Sequence, residues 1–182
     1  MKGVIFTVVE QIVTALFDGD TWDDLLTEAG VHGAYTSVGQ YDDAELGAIV
    51  HAVARRIGQS PEAVLVLVGR HAFDRLARTA PGLLDQFPTL LALLDGLDHV
   101  IHPEVMKLHP GATPPQFTLD ASGETPVLRY RSHRGLCRLA EGLVLGAADR
   151  FGEQVLVEHR SCTLVGDADC VLALVDPGEA PG

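Results

Sequence analysis

The chain has 182 residues, 47% hydrophobic and 21% charged, long enough to bury a sizeable core in one unit. Its 25 acidic against 13 basic residues give a net charge of −12, the wrong sign for nucleic acid or an anionic membrane surface. The longest apolar runs, such as Val64–Val68, fall far short of the roughly 20 residues that a membrane-spanning helix needs.

The first residues, Met1–Glu10, run straight into helical periodicity without a small-residue cleavage site, which predicts a cytoplasmic, reducing location. Three cysteines in such a compartment read as free thiols or metal ligands rather than disulfides. Lys2–Leu16 carries Ile5, Val8, Val9, Ile12, Val13 and Leu16 as one helical stripe. Asp20 is the predicted N-cap of a short helix through Glu28, ended by Gly30. Asp42 or Asp43 starts the next helix, which runs through Ile57 to Gly58, and Ser60-Pro61 opens another through about Thr79. A long apolar stretch from Pro88 to Leu108 carries His99 and His102 and stops at Pro110-Gly111. Pro103 is predicted to kink or restart it.

The second half changes character. Gln116–Asp120 and Val127–Ser132 read as strands around an Ala121-Ser122-Gly123-Glu124 turn. Arg134–Phe151 returns to helix, and Glu153–Leu164 and Cys170–Val175 read as a second strand pair. The expectation is one α+β domain over residues 1–176, with a helical N-terminal half, a small antiparallel sheet after it, and a loose tail at 177–182.

Three groups of residues carry chemistry. In Tyr130-x-Ser132-x-Arg134, strand alternation points a phenol, a hydroxyl and a guanidinium to one side, a donor set suited to carboxylates or phosphates. The same stretch also fits a solvated strand edge, since Arg129, Arg131 and His133 lie alongside. His102 sits on an apolar helix, where a histidine is more often a satisfied core residue than a ligand. Here, though, the helix ends in a stiff corner of Pro-Gly and Pro-Pro pairs. His159-x2-Cys162-x7-Cys170, with Cys137, offers one imidazole and three thiolates, a set suited to structural Zn²⁺, and equally reads as three buried thiols beside a strand histidine. Asp18-Gly19-Asp20 lacks the rest of a calcium loop, and Gly142-x3-Gly146 reads as a helix-packing face rather than a nucleotide site.

Together, His102 placed eight residues before Pro110-Gly111, the run Ala112-Thr113-Pro114-Pro115, and Tyr130-x-Ser132-x-Arg134 resemble the H-NOX family of haem–nitric oxide/oxygen binding domains. The resemblance spans nearly the whole chain. It implies a b-type haem (iron protoporphyrin IX) between the helical and sheet halves, with His102 as the protein ligand to iron. Tyr130, Ser132 and Arg134 would then bind the two propionates, and Pro115 and Ile5 would press on opposite porphyrin faces. Oxygen-binding members carry a distal tyrosine five residues after the motif arginine. That position here is Leu139, and with Ile5, Val9 and Leu143 it implies a pocket without donors. Such a pocket favours nitric oxide, and carbon monoxide as a further ligand, over oxygen. His71, near the expected distal side, is the residue that would upset this reading.

The resemblance further implies a sensor rather than an enzyme, signalling to a separate histidine kinase or cyclic-di-GMP enzyme as nitric oxide releases His102. Some bacterial members carry a comparable Cys/His cluster, which implies zinc at Cys137, His159, Cys162 and Cys170. Helical arithmetic of about 100° per residue sets Cys137 opposite Leu139 and so away from the haem. The departure from the pattern is Pro103, directly after the ligand. Competing readings are an oxygen or redox sensor of the same fold and a haem-less, zinc-stabilised interaction adaptor. A haem enzyme is disfavoured because the distal side offers no acid–base pair.

Overall fold

The computed structural model describes residues 1–178. The loose tail expected at 177–182 therefore lies mostly outside the described residues, and Pro177 and Gly178 form an exposed turn. Four amphipathic helices come first: α1 (Gly3–Leu16), α2 (Gly19–Ala29), α3 (Asp43–Ile57) and α4 (Pro61–Ala77). Their ends follow the local chemistry. Asp42 Oδ1 accepts from Ala44 N–H at 2.9 Å and Ser60 Oγ from Ala63 N–H at 3.1 Å. The cap of α2 is Asp18 rather than Asp20, its Oδ1 accepting from Thr21 N–H at 2.6 Å, because Gly19 already lies inside the helix. The buried faces of α1–α4 close one core around Phe6, Ile12, Leu25, Leu46 and Ile49.

The apolar stretch after Pro88 is three pieces rather than one. Helix α5 (Leu90–Asp95), capped by Thr89, ends at Gly96; a π-helical turn covers Leu97–Ile101; and α6 (His102–Leu108) follows. Pro103 sits in the first turn of α6. It has no N–H for the ordinary ladder, and the turn before it is widened so that the His102 N–H reaches back to Leu97 O. The restart expected at Pro103 is thus present, one residue early and preceded by a π turn.

Strands β1 (Gln116–Asp120), β2 (Val127–Arg131), β3 (Leu156–Ser161) and β4 (Cys170–Val175) form an antiparallel sheet of order β1-β2-β4-β3. Tyr130 is the central register point, opposite Phe117 on one side and Cys170 on the other. Strand β3 is shorter than the expected Glu153–Leu164. Cys162 already turns the chain, its N–H donating to Asp167 Oδ2 at 2.8 Å, and a 3-10 turn occupies Thr163–Val165.

Helix α7 (Cys137–Phe151) lies between the two halves. It starts three residues later than the expected Arg134, because Gly135 holds a positive φ of 62° in the turn leading to it. Helices α4 and α7 cross backbone to backbone at Gly69 and Gly142. A Cβ on Gly142 would stand 2.2 Å from Val66 O and 2.8 Å from the Gly69 Cα. The Gly142-x3-Gly146 spacing is therefore a packing face, as expected. Beside it, Arg70 and Asp149 close a two-pronged ion pair at 2.6 and 2.7 Å.

Candidate haem cavity and thiol cluster

The helical half, the π turn with α6, and the α7–sheet layer meet around a cavity of about 320 Å³, a size that holds a cofactor-class ligand. Its wall is mainly aliphatic. Ile5 comes from α1, Phe73 and Leu76 from α4, and Leu139 and Leu143 from α7. Pro114 and Pro115 close one side, after a corner in which Gly111 takes a φ of 78°. Val9, expected beside Ile5, is not on this wall. It is 1% exposed and belongs to the α1–α4 core, one helical turn beyond the residue that reaches the cavity. His71 is exposed and also off the wall, so it supplies no donor there.

His102 lines the cavity with its side chain 14% exposed. Its Nδ1 lies 2.9 Å from Asp98 Oδ1, and the other oxygen of that carboxylate accepts from Phe117 N–H at 3.0 Å. Burial lowers the His102 pKa below its ordinary value, although the charge of Asp98 and its hydrogen bond pull the other way. Burial thus favours the neutral imidazole. A neutral ring facing a carboxylate carries its proton on Nδ1, which leaves the Nε2 lone pair available. The Phe117 ring stands 5.8 Å from His102 and 5.5 Å from Tyr130, so three rings line the wall in series. His99, three residues away, is exposed and off the wall.

Tyr130, Ser132 and Arg134 all reach the same cavity, but not by strand alternation. Strand β2 ends at Arg131, and the turn that follows brings Ser132 and Arg134 round to the side of Tyr130. Arg134 donates to Thr113 O at 2.7 Å and to Thr113 Oγ1 at 2.8 Å, and pairs through Nε with Asp43 at 2.9 Å. Asp43 also meets the N-terminal ammonium at 2.6 Å. Burial works against ionising Asp43, but the ammonium and Arg134 outweigh it and hold its carboxyl below the ordinary value. Tyr130 is 3% exposed, and burial pushes its phenol up, so it remains a donor.

Sequence reasoning missed Asp98, Asp43, Lys2 and His109 here. Lys2 and His109 also line the cavity, and the His109 Nδ1 is buried without a partner among the described residues. Only the four-residue spacing from Asp98 to His102 was a readable cue.

The family profile described as Haem-NO-binding matches residues 2–159. The chain belongs to that family. Its members are haem-dependent gas sensors rather than enzymes. This H-NOX chain is 33% identical to an H-NOX protein from Shewanella oneidensis solved in the Fe(II)NO state, with 96% of this chain and 98% of that one covered and a TM-score of 0.90. An H-NOX domain from the same organism in the Fe(II)CO state is 34% identical, covering 96% and 97%, at a TM-score of 0.86. The IWP-051-bound H-NOX of Shewanella woodyi, also Fe(II)CO, is 30% identical, covering 100% and 97%, at a TM-score of 0.81. No curated protein sequence matches the chain. No helix among the described residues is long and apolar enough to cross a membrane.

The cavity of this H-NOX chain fits the family's cofactor. A flat apolar macrocycle needs an aliphatic slot, its iron needs a soft neutral donor, and its two carboxylates need cations and hydroxyls. All three are on one wall, and the orphaned His109 nitrogen marks a surface built to face something polar.

A second cluster lies directly behind that wall. The sulfurs of Cys137, Cys162 and Cys170 are buried and lie within 4.8 Å of one another, with Cys137 and Cys162 at 3.5 Å. Burial pushes the Cys137 thiol up; in Cys170 burial is outweighed by hydrogen bonds from Thr163, which lower it. His159 is not gathered with the sulfurs: its Nε2 engages Glu141 Oε2 at 2.9 Å, and its Nδ1 is buried without a partner among the described residues. The cluster was expected to lie away from the haem pocket. Cys137 is indeed off the cavity wall, but Tyr130 and Ala140 belong to both the cluster's packing and the wall, so only one layer of side chains intervenes.

Proposed function

We propose that the chain is a nitric oxide sensor that holds a b-type haem in this cavity, with His102 as the iron ligand and Tyr130, Ser132 and Arg134 on the propionates. The observation that carries the reading is the gathering of His102 and the donor triad on one mainly aliphatic wall, which Lys2 and His109 also reach. Bound haem would supply ferrous iron, which captures diatomic gases and would hold His102 less firmly with nitric oxide bound.

The chain's own residues account for the rest. Leu139, Leu143 and Ile5 present no donor to stabilise the partial negative charge of oxygen, whereas nitric oxide needs none. Carbon monoxide fits the same pocket. Pro115 and Ile5, both on the wall, constrain the macrocycle. His102 begins α6 directly after a π turn, so releasing its imidazole frees the start of a short helix. The differing affinity of nitric oxide for the His102-bound and His102-released states shifts the equilibrium between them. A separate histidine kinase or cyclic-di-GMP enzyme reads that shift.

Cys137, Cys162 and Cys170 are proposed to hold a structural zinc that clamps α7 to the sheet, with His159 as the fourth ligand once its ring leaves Glu141, which it engages in this structure. Three reduced thiols so close in a buried site support it, as does the unpartnered His159 Nδ1. Metal analysis of protein purified under reducing conditions is expected to give about one zinc per chain, lost when Cys162 is replaced.

The test of the sensor reading is the absorption spectrum of ferrous protein with and without nitric oxide, for wild type and His102→Ala. Wild type is expected to show a Soret band that shifts with nitric oxide to the form lacking the histidine bond; the variant loses haem or its histidine ligation. Absence of a Soret band after haem is supplied would sink the proposal. A spectrum that changes reversibly with air alone would overturn the choice of gas.

A further inference from the structure

Asp98 lies on the π turn, four residues before His102, and one carboxylate serves two elements. Oδ1 meets His102 Nδ1 at 2.9 Å, and Oδ2 accepts the Phe117 N–H of β1 at 3.0 Å. Strand β1 is the edge of the sheet, and its Phe117 amide is spent on this side chain rather than left open. A carboxylate only accepts, so His102 must donate through Nδ1 and present Nε2 as the free lone pair. Anchoring the second oxygen on a backbone amide stops the carboxylate from swinging away. His99, on the same turn, has no such partner among the described residues and is exposed.

From this juxtaposition we propose that Asp98 is the positioning residue of the proximal side: it sets the tautomer and basicity of His102 and ties the ligand to the sheet edge at Phe117. A carboxylate behind a ligating imidazole raises its electron donation and fixes its ring orientation. Asp98 thereby sets how firmly His102 holds iron and keeps the imidazole facing β1 after release. The inference rests on His102 being the iron ligand.

Two measurements test it on haem-loaded protein. The first is the iron–histidine stretching band of ferrous wild type, Asp98→Asn and Asp98→Ala. The band is expected to fall in frequency in both variants, further in Ala, because Asn keeps an acceptor without the charge. A merely structural Asp98 would lower thermal stability and leave the band where it was. The second uses His102→Gly with added imidazole or 1-methylimidazole; the latter ligates through one nitrogen but has no N–H to donate. Charge-assisted donation predicts that imidazole binds roughly 10- to 100-fold more tightly. In His102→Gly/Asp98→Ala that preference should collapse, with any steric contribution of the methyl group remaining in both backgrounds. An unshifted band, or equal preferences with and without Asp98, overturns the inference while leaving the ligand assignment intact. Absence of any iron–histidine band in wild type overturns both.

Discussion

Replacing Gly142 by Ala tests whether the cavity depends on the close crossing of α4 and α7. The added Cβ would stand 2.2 Å from Val66 O, 2.8 Å from the Gly69 Cα and 2.9 Å from the Arg70 amide nitrogen. All three are backbone atoms, so no side chain can rotate out of the way, and the helices must separate by roughly 1 Å to restore ordinary contact. Overpacking of this kind costs about 1–3 kcal/mol, against which Ala gains about 1 kcal/mol in helix propensity. The net expectation is a loss of up to about 2 kcal/mol, a fall in Tm of up to roughly 8 °C for a chain of this size. Gly47, in the middle of α3, is the internal control. Nothing lies within 4 Å of its added Cβ, so Gly47→Ala keeps the propensity gain alone and should raise Tm. Leu139 and Leu143 flank Gly142 and line the cavity, so the Gly142 variant should also lose haem faster to a competing acceptor. Scanning calorimetry and haem-transfer kinetics measure both effects. Equal stabilisation by the two substitutions, or unchanged haem loss with a lowered Tm, would refute the argument.

Two further outcomes follow from the same wall. Leu139→Tyr places a phenol donor in an otherwise aliphatic part of the cavity, and the ferrous variant should bind oxygen reversibly in air; a folded, haem-loaded variant whose spectrum ignores oxygen would defeat the donor argument. Asp43 is held below its ordinary pKa of 3.8, so its contribution to stability is complete above that value and lost as pH falls through the lower folded value. Asp43→Asn should therefore be less stable than wild type near neutrality and approach it below about pH 4. Parallel denaturation curves at all pH values would rule out the pairing of Asp43 with the N-terminal ammonium and Arg134 as the cause.

Much of the fold was readable because its cues are local. Asp42 and Gly58 bracket α3, Pro61 opens α4, and β4 spans Cys170–Val175, all as expected. Each depends on a cap, a ring or an alternation a few residues long. The misses share the opposite property. The π turn arises where Pro103 withholds an amide and Asp98 is drawn sideways to β1, a partner 19 residues away. Val9 and Ile5 share one helical stripe, yet the boundary between core and cavity falls between them, and periodicity cannot locate it.

The donor triad shows how a correct grouping can rest on an incorrect reason. Strand alternation was to bring Ser132 and Arg134 beside Tyr130, but the strand stops at Arg131. What turns Arg134 inward is its hold on Thr113 and Asp43, from the Pro-Pro corner and the start of α3. The same guanidinium thus joins the segment after His102 to the helical half across the cavity. A group that draws Arg134 towards its carboxylates competes with Thr113 and Asp43 for the same five N–H donors. On the proposed assignment of Arg134 to the propionates, the residue that would recognise the cofactor is also one that holds the two halves of the molecule together. Occupancy of the cavity and the relative position of α3 and the His102 segment are linked through Arg134, as well as through His102 and Asp98.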